Sequence, residues 1–164
     1  MGQLRLLRAR RFGPFFWTQF LGALNDNLFK NALVILFAFQ ASGVAFSTNT
    51  LVNLATGLLT LPFFLFSATA GQIADKVDKA RIIRTVKVFE IAIMLLGALG
   101  LHLHSVPLLL GVVFLMGTHS AVFGPVKYSI LPQHLRADEL VAGNALVQMG
   151  TFLAILGGTI LGAR

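Results

Sequence analysis

The chain contains 164 residues, of which 56% are hydrophobic and 12% are charged. A soluble domain carries about twice that charged fraction, so the composition predicts an integral membrane protein. The formal net charge of +7 comes from basic residues in short segments between apolar runs, which indicates membrane topology and not nucleic-acid binding. Because the chain has no cysteine, disulfide frameworks and thiolate metal sites are excluded as well.

Five apolar segments come close to the roughly 20 residues that a helix needs to cross a bilayer. They cover residues 14–41, 49–73, 86–102, 106–123 and 139–162. Pro14 suits the first turn of the first helix, and Pro62 predicts a kink in the second. Asp138 is the predicted N-cap of the fifth.

Polar residues interrupt the first span at Asn25, Asp26, Asn27 and Lys30. An ionisable group at mid-membrane is costly, so it normally faces a protein interior or a hydrated cavity and indicates a substrate pathway. Helical periodicity places Gln19, Asp26 and Lys30 on one stripe. The acid precedes the base by four residues, the favourable order for an ion pair. We predict that this stripe contacts substrate; mutual neutralisation within the bundle is the alternative.

The segment between the second and third spans, residues 71–81, reads GQIADKVDKAR. Its carboxylate Asp75 can accept hydrogen bonds at a neighbouring helix end or pair with a cation. Its basic residues can pair with carboxylates or with anionic lipid headgroups. Such contacts can form in one conformation and break in another. The alternative is a basic topology loop without such a role.

Three further features lie inside the later spans. Glu90 lies about one turn inside the third span, close in sequence to Lys87, and is predicted to be an ion-pair partner within the bundle. His119, near the inner end of the fourth span, is expected to be a hydrogen-bonded helix histidine, and a titrating histidine is the alternative. The fifth span carries small residues at every fourth position, which predicts a close-packing face. These small residues are Gly150, Ala154, Gly158 and Gly162.

Lysine and arginine are distributed unevenly between the connecting segments. The amino-terminal tail and the segments after the second and fourth spans contain them, whereas residues 42–48 and 102–105 contain none. This asymmetry predicts a cytoplasmic amino terminus. Five spans then place Arg164 on the opposite side. Because five helices do not enclose a transport pathway, we expect the chain to be the amino-terminal part of a longer protein.

The segment 71–81 resembles the signature loop of the major facilitator superfamily. This resemblance implies a gating loop that helps to latch the cytoplasmic gate in the outward-facing state. The predicted gating residues are Gly71, Asp75, Lys76, Lys79 and Arg81. Asp78 stands where the superfamily usually has glycine. Two further stretches, FLGALNDNLFKN at residues 20–31 and GPVKYSILPQHL at residues 124–135, narrow the resemblance. Together they resemble the lysophospholipid transporter family, especially the transporter half of proteins fused to an acyltransferase and acyl-carrier-protein synthetase. The matching loop residues are Gly71, Asp75, Lys76 and Lys79.

This resemblance implies a major-facilitator helix bundle, with about five of twelve expected helices present. It implies alternating-access movement of lysophospholipid, chiefly lysophosphatidylethanolamine, across a bacterial inner membrane. It aligns Asp26 with the family's first-helix aspartate and Lys127 with the lysine of its P-x-K-Y motif. No cofactor or metal is implied. The implied partners are membrane lipids, the substrate, the remaining transporter helices and a fused or associated acyltransferase. The predicted substrate-binding residues are Gln19, Asp26, Asn27, Lys30 and Lys127. For Lys127, the alternatives are contact with a gating partner and a snorkelling lysine beside an interfacial tyrosine.

Three alternatives remain open. One is a major-facilitator exporter or proton-coupled carrier for another small amphipathic solute. Another is the membrane part of a lipid acyltransferase fusion. His134 and Asp138 do not have the H-x-x-x-x-D spacing of lipid acyltransferases, so we expect no catalysis in this segment, and an acyltransferase would lie downstream. The third is a nonfunctional truncation product.

Overall fold

The computed structural model describes residues 3–40 and 47–163, and this part of the chain contains α-helices and short 3₁₀ helices but no strands. The predicted end of the first span at Ala41 lies outside the described residues, as does Arg164. The all-α prediction is confirmed. The helices are α1 (Gly13–Gln40), α2 (Thr48–Lys76), α3 (Lys79–His102), α4 (Val106–Ser129), α5 (Leu131–His134) and α6 (Leu140–Gly162).

Three helical segments of the described chain are long and apolar enough to cross a membrane. They are Thr48–Lys76, Val106–Ser129 and Ala137–Gly162. The protein is therefore a multi-pass membrane protein. The helices α1 and α3 contain 28 and 24 residues, lengths that also suffice for a bilayer, and their crossing of the membrane stays a prediction.

The chain divides into two compact units. The first contains the described residues of Met1–Ile35 and Lys127–Arg164. Its apolar core is formed by the start of α1, the short helix α5 and the first half of α6. The buried members of this core include Phe12, Phe16, Leu131, Leu135, Leu146 and Val147.

Within this first unit, α6 packs directly on the backbone of α1. A Cβ atom added to Gly158 would lie 2.6 Å from the Leu24 carbonyl oxygen, and one added to Gly162 would lie 2.5 Å from that of Leu28. Only glycine permits this approach, because a real Cβ atom would overlap the facing backbone. The predicted small-residue packing face of the fifth span is confirmed.

The start of α6 differs from the prediction. A 3₁₀ turn at Ala137–Glu139 precedes the helix, and the Arg136 backbone N–H donates to Oε2 of Glu139 at 3.0 Å. Oε1 of Glu139 also accepts a hydrogen bond from Nη2 of Arg11 at 2.6 Å. The prediction of Asp138 as the N-cap is wrong: Asp138 lies within the 3₁₀ turn, and its carboxylate lies 3.5 Å from Arg136 Nε.

The second unit contains the described residues of Leu36–Val126. Its helices α2 and α4 approach closely where Gly117 faces Pro62 and the carbonyl oxygen of Leu59. Near the other end of α2, Ala74 joins Ile82 and Val86 of α3 and Val126 of α4 in an apolar cluster. This packing of three helices positions the polar side chains described below.

The connection between α2 and α3 is much shorter than the predicted gating loop. Only Val77 and Asp78 separate the two helices. Oδ1 of Asp78 accepts a hydrogen bond from the backbone N–H of Arg81 at 2.8 Å, so this carboxylate caps α3. The residue that replaces the superfamily's glycine therefore begins a helix, and the five predicted gating residues lie at helix ends rather than in a loop.

Candidate functional site

The first unit contains a lysine in an unusual environment for a membrane helix. Lys127 lies in the last turn of α4 and is half-buried. Its Nζ atom lies 3.3 Å from Oγ1 of Thr151 on α6 and 5.0 Å from the ring centre of Tyr128. Among the described residues, Lys127 forms no salt bridge. The ammonium group thus has a hydroxyl and an aromatic face as its protein neighbours.

The hydroxyl group that contacts Lys127 continues into a buried polar network. Gln19 of α1 is only 2% exposed, and its Oε1 accepts from Thr151 Oγ1 at 3.3 Å. Its Nε2 donates to the Val147 carbonyl oxygen at 3.4 Å, and the same carbonyl lies 2.8 Å from Thr151 Oγ1. The structure therefore brings two predicted site residues, Gln19 and Lys127, together through Thr151.

The sequence interpretation missed Thr151. The available signal was a hydroxyl residue beside Gly150, on the small-residue face of an apolar helix. A second polar contact lies one turn away, where the Tyr128 hydroxyl donates to Oε1 of Gln148 at 2.6 Å. These two contacts join the end of α4 to α6. They hold the Lys127 side chain within the first unit, close to the Tyr128 ring.

The remaining predicted residues of α1 lie farther along the helix. Asp26 is seven residues beyond Gln19, about 10 Å along the axis. It is partly buried, and its Oδ1 atom is shielded from solvent, whereas Lys30 is exposed. The predicted ion pair between Asp26 and Lys30 stays a prediction.

Asn27 lies where α1 packs against α6. Its Nδ2 donates to the Ala23 carbonyl oxygen at 2.8 Å, and its Cβ lies where a side chain on Gly158 would have to fit. Asn31, which the sequence interpretation did not include, donates to the Asn27 carbonyl oxygen at 2.7 Å and to Thr159 Oγ1 at 3.3 Å. Asn27 therefore lies in the contact between α1 and α6, outside the network around Lys127.

The predicted gating residues surround the short α2–α3 connection. Gly71, Asp75 and Lys76 lie in the last turns of α2, and Lys79 and Arg81 lie in the first turn of α3. The side chains of Asp75, Lys76 and Arg81 are exposed. A Cβ added to Gly71 would meet nothing within 4 Å, so this face of α2 is open. The gating role itself stays a prediction.

The second unit contains a separate cluster of titratable side chains. Oε2 of Glu90 lies 2.5 Å from Lys87 Nζ and 3.2 Å from His119 Nε2. The prediction of Glu90 as an ion-pair partner within the bundle is confirmed. The sequence interpretation did not join His119 to it, because the contact connects α3 to α4 and no local spacing reveals it. Across residues 3–40 and 47–163, no group of three or more metal-ligating side chains is present.

The environment of Lys127 favours the binding of an anion. A half-buried ammonium is partly desolvated, and neutral neighbours compensate its charge only in part. A phosphate group can provide both the opposite charge and strong hydrogen-bond acceptors. Lysine binds phosphate as a point charge, so the geometry of the anion is set by its neighbours. The arrangement is suited to binding an anionic group such as a phosphate.

Comparison with known proteins gives consistent matches. Residues 23–163 match the family model described as transmembrane secretion effector. Similar proteins include the lysophospholipid transporter LplT of Photorhabdus laumondii, 33% identical over 146 residues, and that of Salmonella newport, 31% identical over 144 residues. Each alignment covers 88% of this chain but only 34% and 33% of the respective relative. The chain thus spans about a third of the length of the curated relatives it matches. No solved structure matches the chain significantly.

Proposed function

The chain belongs to the transmembrane secretion effector family of the major facilitator superfamily, and we propose that it forms part of a secondary transporter for lysophospholipid. The proposed substrate resembles lysophosphatidylethanolamine, and the proposed membrane is the bacterial inner membrane. Two similar proteins carry the name lysophospholipid transporter, which supports this substrate class. The lysine and arginine asymmetry supports a cytoplasmic amino terminus.

The half-buried Lys127 is the observation that carries this proposal. A lysophospholipid headgroup contains a phosphate, and Lys127 offers an ammonium that the described residues leave without a carboxylate. The contact from Thr151, itself bonded to the buried Gln19, positions this ammonium. We propose that the lipid phosphate binds Lys127 near the end of α4, with the single acyl chain along the apolar helix surfaces.

Asp26 provides a second proposed contact, deeper in the bundle. Because it lies about 10 Å beyond Gln19 along α1, one headgroup does not fill both positions at once. The substrate's ammonium would approach the Asp26 carboxylate as the lipid moves from the helix end towards the middle of the membrane. Alternating access of the two halves of a major facilitator bundle provides this movement. Gly71 and the charged helix ends near it would stabilise one gate state.

The proposed partners follow from the same scheme. The remaining helices of a complete transporter would enclose the pathway, because the described helices leave large apolar surfaces exposed. Exposed apolar side chains include Phe64, Val88, Leu95, Val141, Phe152 and Ile160. A fused or associated acyltransferase would re-acylate the returned lipid. We propose no catalytic step within this chain.

The family description supports a second candidate function, export of another amphipathic solute. The two candidates differ in substrate and direction. A lysophospholipid importer accelerates inward movement of a phosphate-bearing lipid, whereas an exporter moves a different solute outward. A reconstituted assay that follows both directions separates them.

The experiment uses the protein expressed from its complete open reading frame and reconstituted in liposomes. Labelled lysophosphatidylethanolamine should cross faster than in empty liposomes, and Asp26→Asn should reduce the rate about tenfold or more. Labelled sugars and drug-like amphiphiles serve as competing substrates. A rate equal to that of empty liposomes, with outward movement of another solute, would support the exporter. Full transport by a well-folded Asp26→Asn variant would remove Asp26 from the pathway.

A further inference from the structure

The cluster of Lys87, Glu90 and His119 in the second unit has no role in the proposed headgroup contacts. We propose that it is a proton-binding site, at which uptake of one proton makes transport dependent on pH. His119 and Glu90 are almost fully buried, at 4% and 9% exposure, on helices that pack through apolar residues. Ionisable side chains are rare in such positions, and chains of Glu and His are typical of proton relays in transporters.

The geometry allows the cluster to share one proton. Glu90 Oε2 lies between the two bases, 2.5 Å from Lys87 Nζ and 3.2 Å from His119 Nε2. With a neutral imidazole, the lysine and the carboxylate balance each other and the net charge is zero. A proton taken from water converts the imidazole to an imidazolium and raises the net charge to +1. Loss of that proton to water restores the neutral cluster.

Phe123 gives the protonated form an additional contact. Its ring is nearly parallel to the His119 ring, with 6.2 Å between the centroids and 13° between the planes. Lys87 Nζ lies 4.9 Å from the centre of the same ring. An aromatic face attracts a cation within about 6 Å, so the ring stabilises the Lys87 ammonium directly and an imidazolium at His119 more weakly.

The solvent exposure of the three side chains decreases from Lys87 through Glu90 to His119. The side chain of Lys87 is 20% exposed, that of Glu90 is 11% exposed and that of His119 is 3% exposed. The lysine and carboxylate edge is therefore the side of the cluster at which a proton can enter. Since a buried ion pair adds little net stability over an apolar pair, stability alone does not account for three titratable groups here.

No other charged side chain of the described second unit forms an ion pair with the cluster. On α2, the titratable groups are Asp75 and Lys76, both exposed at the helix end. On α3, Lys79 and Arg81 lie in the first turn, and Arg84 is exposed nearly two turns before Glu90. On α4, within this unit, His119 is the titratable residue. The three-residue cluster therefore determines the local charge.

The first test measures protonation without any substrate. The protein from its complete open reading frame is labelled with ¹⁵N-histidine in lipid nanodiscs, and the His119 signal is assigned by its loss in His119→Gln. The signal is recorded as the pH is lowered from about 8 to about 5, and we expect it to change reversibly. An unchanging His119 signal across that range would overturn the proposal. Because no substrate is present, failure of the proposed lipid transport does not affect this result.

The second test compares transport rates and rests on the proposed function. The wild-type rate should change about threefold or more between about pH 6 and pH 8, and the His119→Gln rate by less than about 1.5-fold. His102→Gln, the same change at an exposed histidine, should keep the wild-type profile. If His119→Gln misfolds, the charge-neutral pair Lys87→Met with Glu90→Gln replaces it, with the same expected loss of pH response. An unaltered pH profile in the folded variant would overturn the proposal.

Discussion

Replacement of Thr151 by valine tests whether the polar network positions Lys127. Valine matches threonine in shape but removes the hydroxyl that contacts Lys127 Nζ and Gln19 Oε1, each at 3.3 Å. A hydrogen bond to a charged group contributes about 1.5–3 kcal/mol, and the long distance here places the loss near the lower limit. Since about 1.4 kcal/mol corresponds to tenfold, we expect apparent lysophospholipid affinity to weaken about tenfold.

Thr60→Val is the matched control for this variant. Like Thr151, Thr60 donates from its hydroxyl to the carbonyl oxygen four residues earlier, at 2.8 Å, but it is exposed on α2, and within the described chain it forms no hydrogen bond with a lysine. The assay is concentration-dependent uptake of labelled lysophosphatidylethanolamine into liposomes, with and without Lys127→Met. If Thr151 acts through Lys127, its replacement should add little to Lys127→Met. Equal effects of the two valine variants, or full additivity with Lys127→Met, would refute the reasoning.

Two further predictions concern the helices. Gly158→Ala should lower the free energy of unfolding by about 1–3 kcal/mol, because its Cβ would lie 2.6 Å from the Leu24 carbonyl oxygen. Gly57→Ala, with open space around it, should leave the free energy of unfolding unchanged. Thermal unfolding in detergent measures both variants, and equal stability would contradict the α1–α6 contact. Gly71→Leu should leave this fold stable but slow transport about fivefold or more if the end of α2 packs closely in another gate state. Gly57→Leu is the control on the same helix, and an unchanged Gly71→Leu rate would remove Gly71 from the gate.

The sequence predicts the helices well because a bilayer-spanning helix needs a long apolar run, and that length is readable from composition. The helix ends are harder to predict. The helices α2 and α3 extend past their apolar parts to Lys76 and Lys79, because the Asp78 carboxylate caps α3 and charged residues can continue a helix beyond the membrane. A local hydrogen bond likewise determines where α6 begins: the Arg136 backbone N–H donates to the Glu139 carboxylate.

The site was only partly predictable for a different reason. Gln19 and Lys127 were found as polar residues in an apolar context and through family resemblance. The residue between them, Thr151, belongs to another helix, and the pairing of helices does not follow from periodicity in one helix. The same limit applies to His119 and Glu90, which lie on different helices. Asn27 donates to a carbonyl oxygen of its own helix, and its predicted substrate contact stays a prediction.

The most direct measurement of the central claim is substrate selectivity for a phosphate group. Transport rates of a lysophospholipid and of a monoacylglycerol with the same acyl chain are compared for the wild type, Lys127→Arg and Lys127→Met in the same liposomes. If Lys127 binds the lipid phosphate, the wild type and Lys127→Arg should prefer the lysophospholipid, and Lys127→Met should lose about tenfold or more of that preference. An unchanged preference in a folded Lys127→Met protein would contradict the account.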